Sequence, residues 1–505
     1  MDLTRVPIIM TTPPNIPNAG VPAPAPDLQP RDSRSPPSAR RRDSHDEPTT
    51  ATEFTNLLDW CANYTDAFVK SHIWWHASLG AAVGTSFLLV FLSLPQLPKG
   101  GMFDSVRAWM IMFSPPDSED DVRGTLNLVE RAAAFVSAVA FLSFGVQMDG
   151  LISSRGVAPA ADVIRRRKRA VQWDTATWSA RRAAFHRLPN VFWFVGASDG
   201  ALRGVCATGL SVSLVLTLAG GAWAASGVGV VLGSLAWAIL YACHLSLIAV
   251  SGDFLGLQSD SNLCEVSILF SLLALLRAGA HETSSASAAI GVLRWLSARK
   301  MLGCGLCKFY GSPMWRAGTA MSVHHWTQPL PNPLSARAHR LPRLVHRASV
   351  VGTLIVEIVL PTLSLIPYQP LRLLACIGFT GLNAAINLTG NFGFIGALSV
   401  VESLSLIDDS LLPSALRFAA ESADAADAAA PAGVWGLAAS AAVAIVRMGV
   451  SVLLCAYVLA SLPPLSQASR HTVDGPLALM APAEYAYEKG RRYRMVNYYA
   501  KFASM

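Results

Sequence analysis

The chain has 505 residues, 52% hydrophobic and only 14% charged, whereas soluble domains carry about 25% charged residues. A mean hydropathy of +0.39 and repeated long apolar runs exclude a soluble globular domain and point to an all-α, polytopic transmembrane helical bundle. The formal net charge of +7 lies beside apolar runs, where it sets orientation; the basic balance implies a lipid bilayer as partner and no nucleic acid.

Residues 1–52 are rich in Pro, Ser, Arg and Asp, lack apolar periodicity and contain Arg40-Arg41-Arg42, which predicts a disordered arm. No apolar core of a cleavable leader stands near the start. Residues 53–127 hold a first span, Ile73 to Leu94, ended by Pro95, and a loop with Asp117, Glu119, Asp120 and Asp121. A second span runs from Ala132 to Met148 and opens a membrane core, 128–410. The stretch 150–190, with Arg165-Arg166-Arg167-Lys168-Arg169, is expected on the cytosolic side. Two spans back, the N-terminus is then cytosolic too. Apolar segments follow at Leu202–Gly220, Trp223–Val250, Leu263–Leu276, Ser287–Leu306, His346–Ile366, Leu373–Leu388 and Phe392–Ile407. A linker and last span occupy 411–462, and a polar tail 463–505. About ten full spans would leave the C-terminus on the cytosolic side, whereas one re-entrant segment around 373–407 would move it to the other side.

Between Gly311 and Arg347 lies a long structured loop between membrane helices. Its proline, histidine and aromatic residues are Trp315, His324, His325, Trp326, Gln328, Pro329, Pro331, Asn332 and Pro333. Three prolines restrict the backbone there and remove three donors, which favours an extended, pre-shaped contact surface for a partner. Asp253, Glu265, Arg294, Lys308, Glu357, Asn391 and Glu402 form the expected intramembrane polar core, because charge in hydrocarbon turns inward and pairs. Two readings stand for Lys308. It either neutralises an acid such as Glu265 or Glu357, or it moves protons as a catalytic lysine with Glu265 or Asp253. Cys304 and Cys307 have CxxC spacing but sit in an apolar helix, the wrong context for dithiol redox chemistry. His324-His325 has no acid or cysteine at ligand spacing, so no metal and no cofactor is expected.

Ordered blocks carry a family resemblance. They include Leu151-Ile152-Ser153-Ser154-Arg155-Gly156, Gly252-Asp253-Phe254-Leu255-Gly256-Leu257-Gln258-Ser259-Asp260, Arg294-Trp295, and Gly303 to Trp315 with Lys308. Thr327-Gln328-Pro329-Leu330-Pro331-Asn332-Pro333, Leu388-Thr389-Gly390-Asn391-Phe392-Gly393 and Leu406-Ile407-Asp408-Asp409 continue the series. Together they resemble the lipase maturation factors. The resemblance implies a non-enzymatic, chaperone-like protein of the endoplasmic reticulum membrane whose partner is a secreted lipase or other secretory client. A more distant likeness to the helical domain of vitamin K-dependent carboxylases is what singles out Lys308 for the catalytic reading. Tyr493 to Phe502 resembles the opening of a further, luminal domain. That leaves two expectations, a truncated chain or a member that lacks this domain.

Overall fold

The computed structural model describes residues 122–219, 227–277, 284–328, 330–413, 434–468 and 481–499. The expected span Ile73–Leu94, the acidic loop before Val122 and Pro329 lie outside these residues. Among the described residues seven helices are long and apolar enough to cross a membrane. Helix is the form such runs take because hydrocarbon offers no partner for backbone N–H and C=O groups.

Helices α1 (Arg123–Leu151) and α2 (Asp199–Ala219) pack closely. Gly209 permits the approach: a side chain there would run into the ring of Phe141. Two short basic helices, Ala160–Ala170 and Trp178–Arg187, join them. The junction is fastened by the Ser154 amide donating to Asp199 over 2.7 Å and by Arg203 paired with Asp149 at 3.0 Å. Helices α3 (Gly227–Ser251) and α4 (Gln258–Leu276) form the next antiparallel pair. Gly256, at φ +107°, turns the chain between them, and Asp260 accepts the amides of Gly256 and Leu257 at 2.8 and 2.9 Å.

Helix α5 (Ser284–Gly311) is the axis of the bundle. Ala289, Ile290, Leu293 and Leu296 on it are buried in the principal core, which draws also on α1 to α4. It carries too many charges to be an apolar span, yet protein encloses it. Helix α6 (Arg343–Ser364) contains a π-helical turn over Ile355–Val359. Pro361 explains the turn: it has no N–H for the carbonyl of Glu357 four residues back, so the helix widens there. Helix α7 is Gln369–Thr389, and α8 is Ile395–Ser403 with one further 3-10 turn to Leu406. Twelve residues from Ile395 to Leu406 rise about 18 Å, short of a hydrocarbon core about 30 Å thick. Short as it is, α8 does not turn back: Asp409 just past it accepts the Gly124 and Thr125 amides at the start of α1, at 2.6 and 2.7 Å, at the end of the bundle opposite the link from α7, so the re-entrant segment considered for 373–407 is not what it forms. Helices α9 (Val434–Ala460) and α10 (Ala481–Arg492), with the short helix Pro463–Ala468 after α9, follow.

The stretch between Gly311 and Arg343 is mostly helical, and the extended backbone that its prolines suggest is kept in the segment that carries Pro331, with Gln328 and Asn332 both in the extended region. It folds into three short helices, Pro313–Arg316, Ala320–Thr327 and Pro333–His339. Pro313 and Pro333 are helix starters. Pro313 follows the N-cap Ser312, and Pro333 follows Asn332, whose side chain accepts the Ser335 amide at 2.9 Å. Antiparallel order from α1 to α5 puts this short-helix layer on the same face of the bundle as the basic segment 152–198. Tyr493 is on that face too, hydrogen-bonded to His186 and accepting from the Tyr241 hydroxyl over 2.7 Å.

Candidate functional site

Four cations project from α5, and each meets an acid from another element. Arg294 pairs with Asp408 at 2.7 Å and donates to the Ser405 carbonyl at 2.7 Å. Arg299 pairs with Glu265 of α4, and Lys300 with Glu402 of α8. Lys308 donates to both carboxylate oxygens of Glu357, at 2.7 and 2.6 Å, and lies 5.5 Å from the ring centre of Trp315. These four cations and the acids Glu265, Glu357 and Glu402 are almost wholly buried. Pairing of this kind is what makes a buried charge tolerable.

Glu265 is the most heavily bonded of the acids. It accepts the hydroxyl of Tyr457 at 2.8 Å, the hydroxyl of Tyr499 at 2.6 Å and the amide of Asn497 at 2.9 Å, besides Arg299. Asn262 bridges this group to the next, donating to Glu402 over 2.6 Å. Three donors to Glu265 thus come from residues beyond position 456, near the end of the described chain.

The Lys308–Glu357 pair forms part of the wall of a cavity of about 440 Å³. Its other walls are α6, α7 and the short-helix layer, through Trp315, His324, His325, Val356 and Leu382. Gly305 brings the pair together: a β-carbon there would stand 2.8 Å from the Glu357 carbonyl oxygen, so only glycine lets the two backbones come this close. Burial, with His325 and Lys308 adding to it, holds the His324 imidazole down to about 4. His325 is lowered as well, by burial and by His346 and His339. Both rings are therefore uncharged at neutral pH.

The layer is stitched to the end of α7, where backbone carbonyls lack helical partners. Gln328 donates to the Thr389 carbonyl at 2.9 Å, Ser335 to the same oxygen at 2.6 Å, and Asn332 to the Leu388 carbonyl at 3.1 Å. Gln328 and Asn332, singled out in the sequence as partner contacts, thus serve the fold's own helix end. Trp315, His324 and His325 are likewise buried. Trp326, Pro331 and Pro333 are exposed.

Two members of the expected polar core fall outside it. Asp253 is exposed on the 3-10 turn Gly252–Phe254, because Gly252 at φ +56° ends the helix before it. Asn391 is exposed in the link between α7 and α8. Neither Glu265 nor Asp253 is the partner of Lys308. Glu265 faces Arg299, and Lys308 lies nine residues, about 13 Å, further along α5. Arg299 and Lys300 were not singled out in the sequence. Adjacent cations after an apolar run look like an interfacial span end, and only the second layer of helices around α5 shows otherwise. Among the described residues no group of three metal-ligating side chains comes together.

The lipase maturation factor transmembrane domain matches residues 125–414, more than half of the chain. The chain belongs to the lipase maturation factor family. It is 33% identical over 279 residues to Lipase maturation factor 2 of Xenopus laevis, covering 54% of this chain and 37% of the relative. Lipase maturation factor 2 of Homo sapiens is 30% identical over 303 residues, or 56% and 40% of the two chains. Lipase maturation factor 1 of Homo sapiens is 30% identical over 292 residues, or 56% and 48%. The match thus spans less than half the length of each of these relatives. No solved structure matches the chain. The four cations of α5 and their four acids all fall inside the family's domain, whereas Tyr457, Asn497 and Tyr499 lie beyond it.

Proposed function

We propose that this multi-pass membrane protein is a maturation factor of the endoplasmic reticulum membrane, chaperone-like rather than catalytic, which helps a secreted lipase or other secretory client reach its active form. The observation that carries the reading is the family match over residues 125–414, which includes the whole α5 ion-pair network. Lys308 favours the same reading. Both oxygens of Glu357 hold its ammonium group, so its role is charge neutralisation and helix registration rather than proton transfer.

We further propose that the basic face is cytosolic. Residues 312–347 hold Arg316, Arg337, Arg340, Arg343 and Arg347 and no acid, and the segment 152–198 on the same face is also basic. The opposite face carries Asp408 and Asp409. Under this orientation two sequence expectations exclude each other: a cytosolic basic loop and a short-helix layer that grips a luminal client. The layer then supports the bundle and its cavity, and the client meets the acidic face.

Expression in cells deleted for their own lipase maturation factors tests the function. Secreted lipase activity rises above that of empty-vector cells if the reading holds. Activity that stays at the empty-vector level, with the protein abundant in the membrane, refutes it for this chain.

A further inference from the structure

We infer that the cavity beside Lys308 is a lipid site that takes one acyl chain of an uncharged glyceride bearing a free hydroxyl, admitted sideways from the bilayer between α6 and α7. The route in is visible at Ile377, which lines the cavity and is also 61% exposed. It stands on the outer surface of α7 with Leu374, and α6 presents Val351, Ile355 and Val359 outward beside it. An apolar surface of this kind on two spanning helices faces hydrocarbon, so what meets the opening is lipid. At about 440 Å³, the cavity has the size and mainly apolar wall of a small-molecule site.

The polar groups define the head. Among the described residues Lys308 and Glu357 are the only charged side chains on the wall, and they cancel. His324, held down to about 4, adds no charge at neutral pH. A carboxylate or phosphate entering here would lose its water and gain no unspent cation, while Glu357 repelled it. Ser349 and Thr389 point to a donor instead. Their hydroxyl protons go to the carbonyls of Val345 and Ala385 on their own helices, which leaves the oxygens to accept. A glyceride hydroxyl supplies that donor, and its acyl chain fits against Met321, Val356 and Leu382.

Two glycines keep the space open. Gly352 and Gly381 line the cavity, and a β-carbon at either would meet nothing within 4 Å. Gly381→Leu therefore starts its side chain in open space at the cavity wall, and leucine favours helix more than glycine does.

The experiment uses the full chain in nanodiscs with traces of photoactivatable lipids, each carrying a diazirine in its acyl chain: a diacylglycerol, a fatty acid or a phosphatidylcholine. Illumination and peptide mapping locate the label. The diacylglycerol probe is expected to concentrate on the inner residues of α6 and α7, to be displaced by unlabelled diacylglycerol, and to be lost in Gly381→Leu. Label spread evenly over lipid-facing residues such as Leu214 and Leu218 of α2 overturns the proposal. So does equal capture of the fatty acid or phosphatidylcholine probe, or undiminished labelling of folded Gly381→Leu. If that variant does not fold, mapping and competition on the unaltered protein decide alone. Lipase plays no part in the readout, so failure here is distinct from failure of the maturation reading.

Discussion

Lys308 and Glu357 show how a charge survives inside this bundle. Each has its counter-charge in direct contact, and neither is exposed to solvent. Lys308→Met alone leaves Glu357 buried and unpaired, a change that typically costs about 3–5 kcal/mol. Lys308→Met with Glu357→Leu removes both charges and should restore thermal stability in detergent to near the original value. A double variant as unstable as the single one would mean that Lys308 supports the fold through other contacts. His324 gives a second residue-scale test, through pH. Its folded-state value, about 4, lies below the ordinary 6.5, so the unfolded imidazole binds a proton that the folded one refuses between those values. The contribution of this site is complete above pH 6.5 and is lost as pH falls towards 4. Hydrogen exchange in Ala320–Thr327 should therefore quicken across that window, and His324→Gln should flatten the dependence. An unchanged profile in His324→Gln would assign the titration to His325 or another group.

Helix α5 meets α6 through a fit that a single methyl group would spoil. The β-carbon of Gly305→Ala would stand 2.7 Å from Ile358 Cγ1 and 2.8 Å from the Glu357 carbonyl oxygen, closer than atoms pack. One of the contacts is backbone, so the helices must separate, and the Lys308–Glu357 pair one turn away loosens. Gly305→Ala should lower the midpoint of thermal unfolding, whereas Gly352→Ala, which faces open space, should leave it unchanged or raise it slightly. Equal effects at the two glycines would count against close packing at Gly305. Most of this architecture was legible in the sequence at the level of elements, because apolar runs of membrane length have few alternatives to helix. Arg294, Lys308, Glu357 and Glu402 were legible as lone charges in such runs. Their pairing was not, since it depends on which helix lies beside which. The three short helices were missed because the proline cluster that ends at Pro333 suggested an extended loop, whereas Pro313 and Pro333 each occupy a first turn that needs no N–H from it. Tyr457, Asn497 and Tyr499 gave no local sign at all. They reach Glu265 across 192 to 234 residues of chain.

At the scale of the whole molecule, the family's domain does not close its own core. Residues beyond position 414 cover Glu265 and Arg299, and the Asn497 carbonyl accepts from Arg299 at 2.9 Å. A chain stopped after Met480 should lose both Asn497 and Tyr499 and be recovered from membranes in much reduced amount. Tyr499→Phe removes the hydroxyl that bonds both Glu265 and Asn262, a milder loss of about 1.5–3 kcal/mol for the bond to the charged group. Full recovery of the shortened chain would show that the core closes without this segment.

Orientation is a separate property of the whole, and one labelling experiment tests both the fold and its placement in the membrane. Ser179, on the basic helix Trp178–Arg187, and Ala336, in the short-helix layer, are exposed. The order of helices from α1 to α5 puts both on one face, so Ser179→Cys and Ala336→Cys should react from the same side of sealed microsomes whichever way the protein is inserted. Cys206, Cys243, Cys264, Cys304, Cys307 and Cys376 are buried, and the half-buried Cys455, with Cys61, is replaced by alanine in the background used for labelling. Arginines on that face, with no acid in residues 312–347, predict that the shared side is the cytosol. Labelling of the two positions from opposite sides would break the helix order described above. Labelling of both from the lumen alone would keep the fold and reverse the protein in the membrane. The short-helix layer, with Trp326 exposed on it, would then face the compartment in which secretory clients mature.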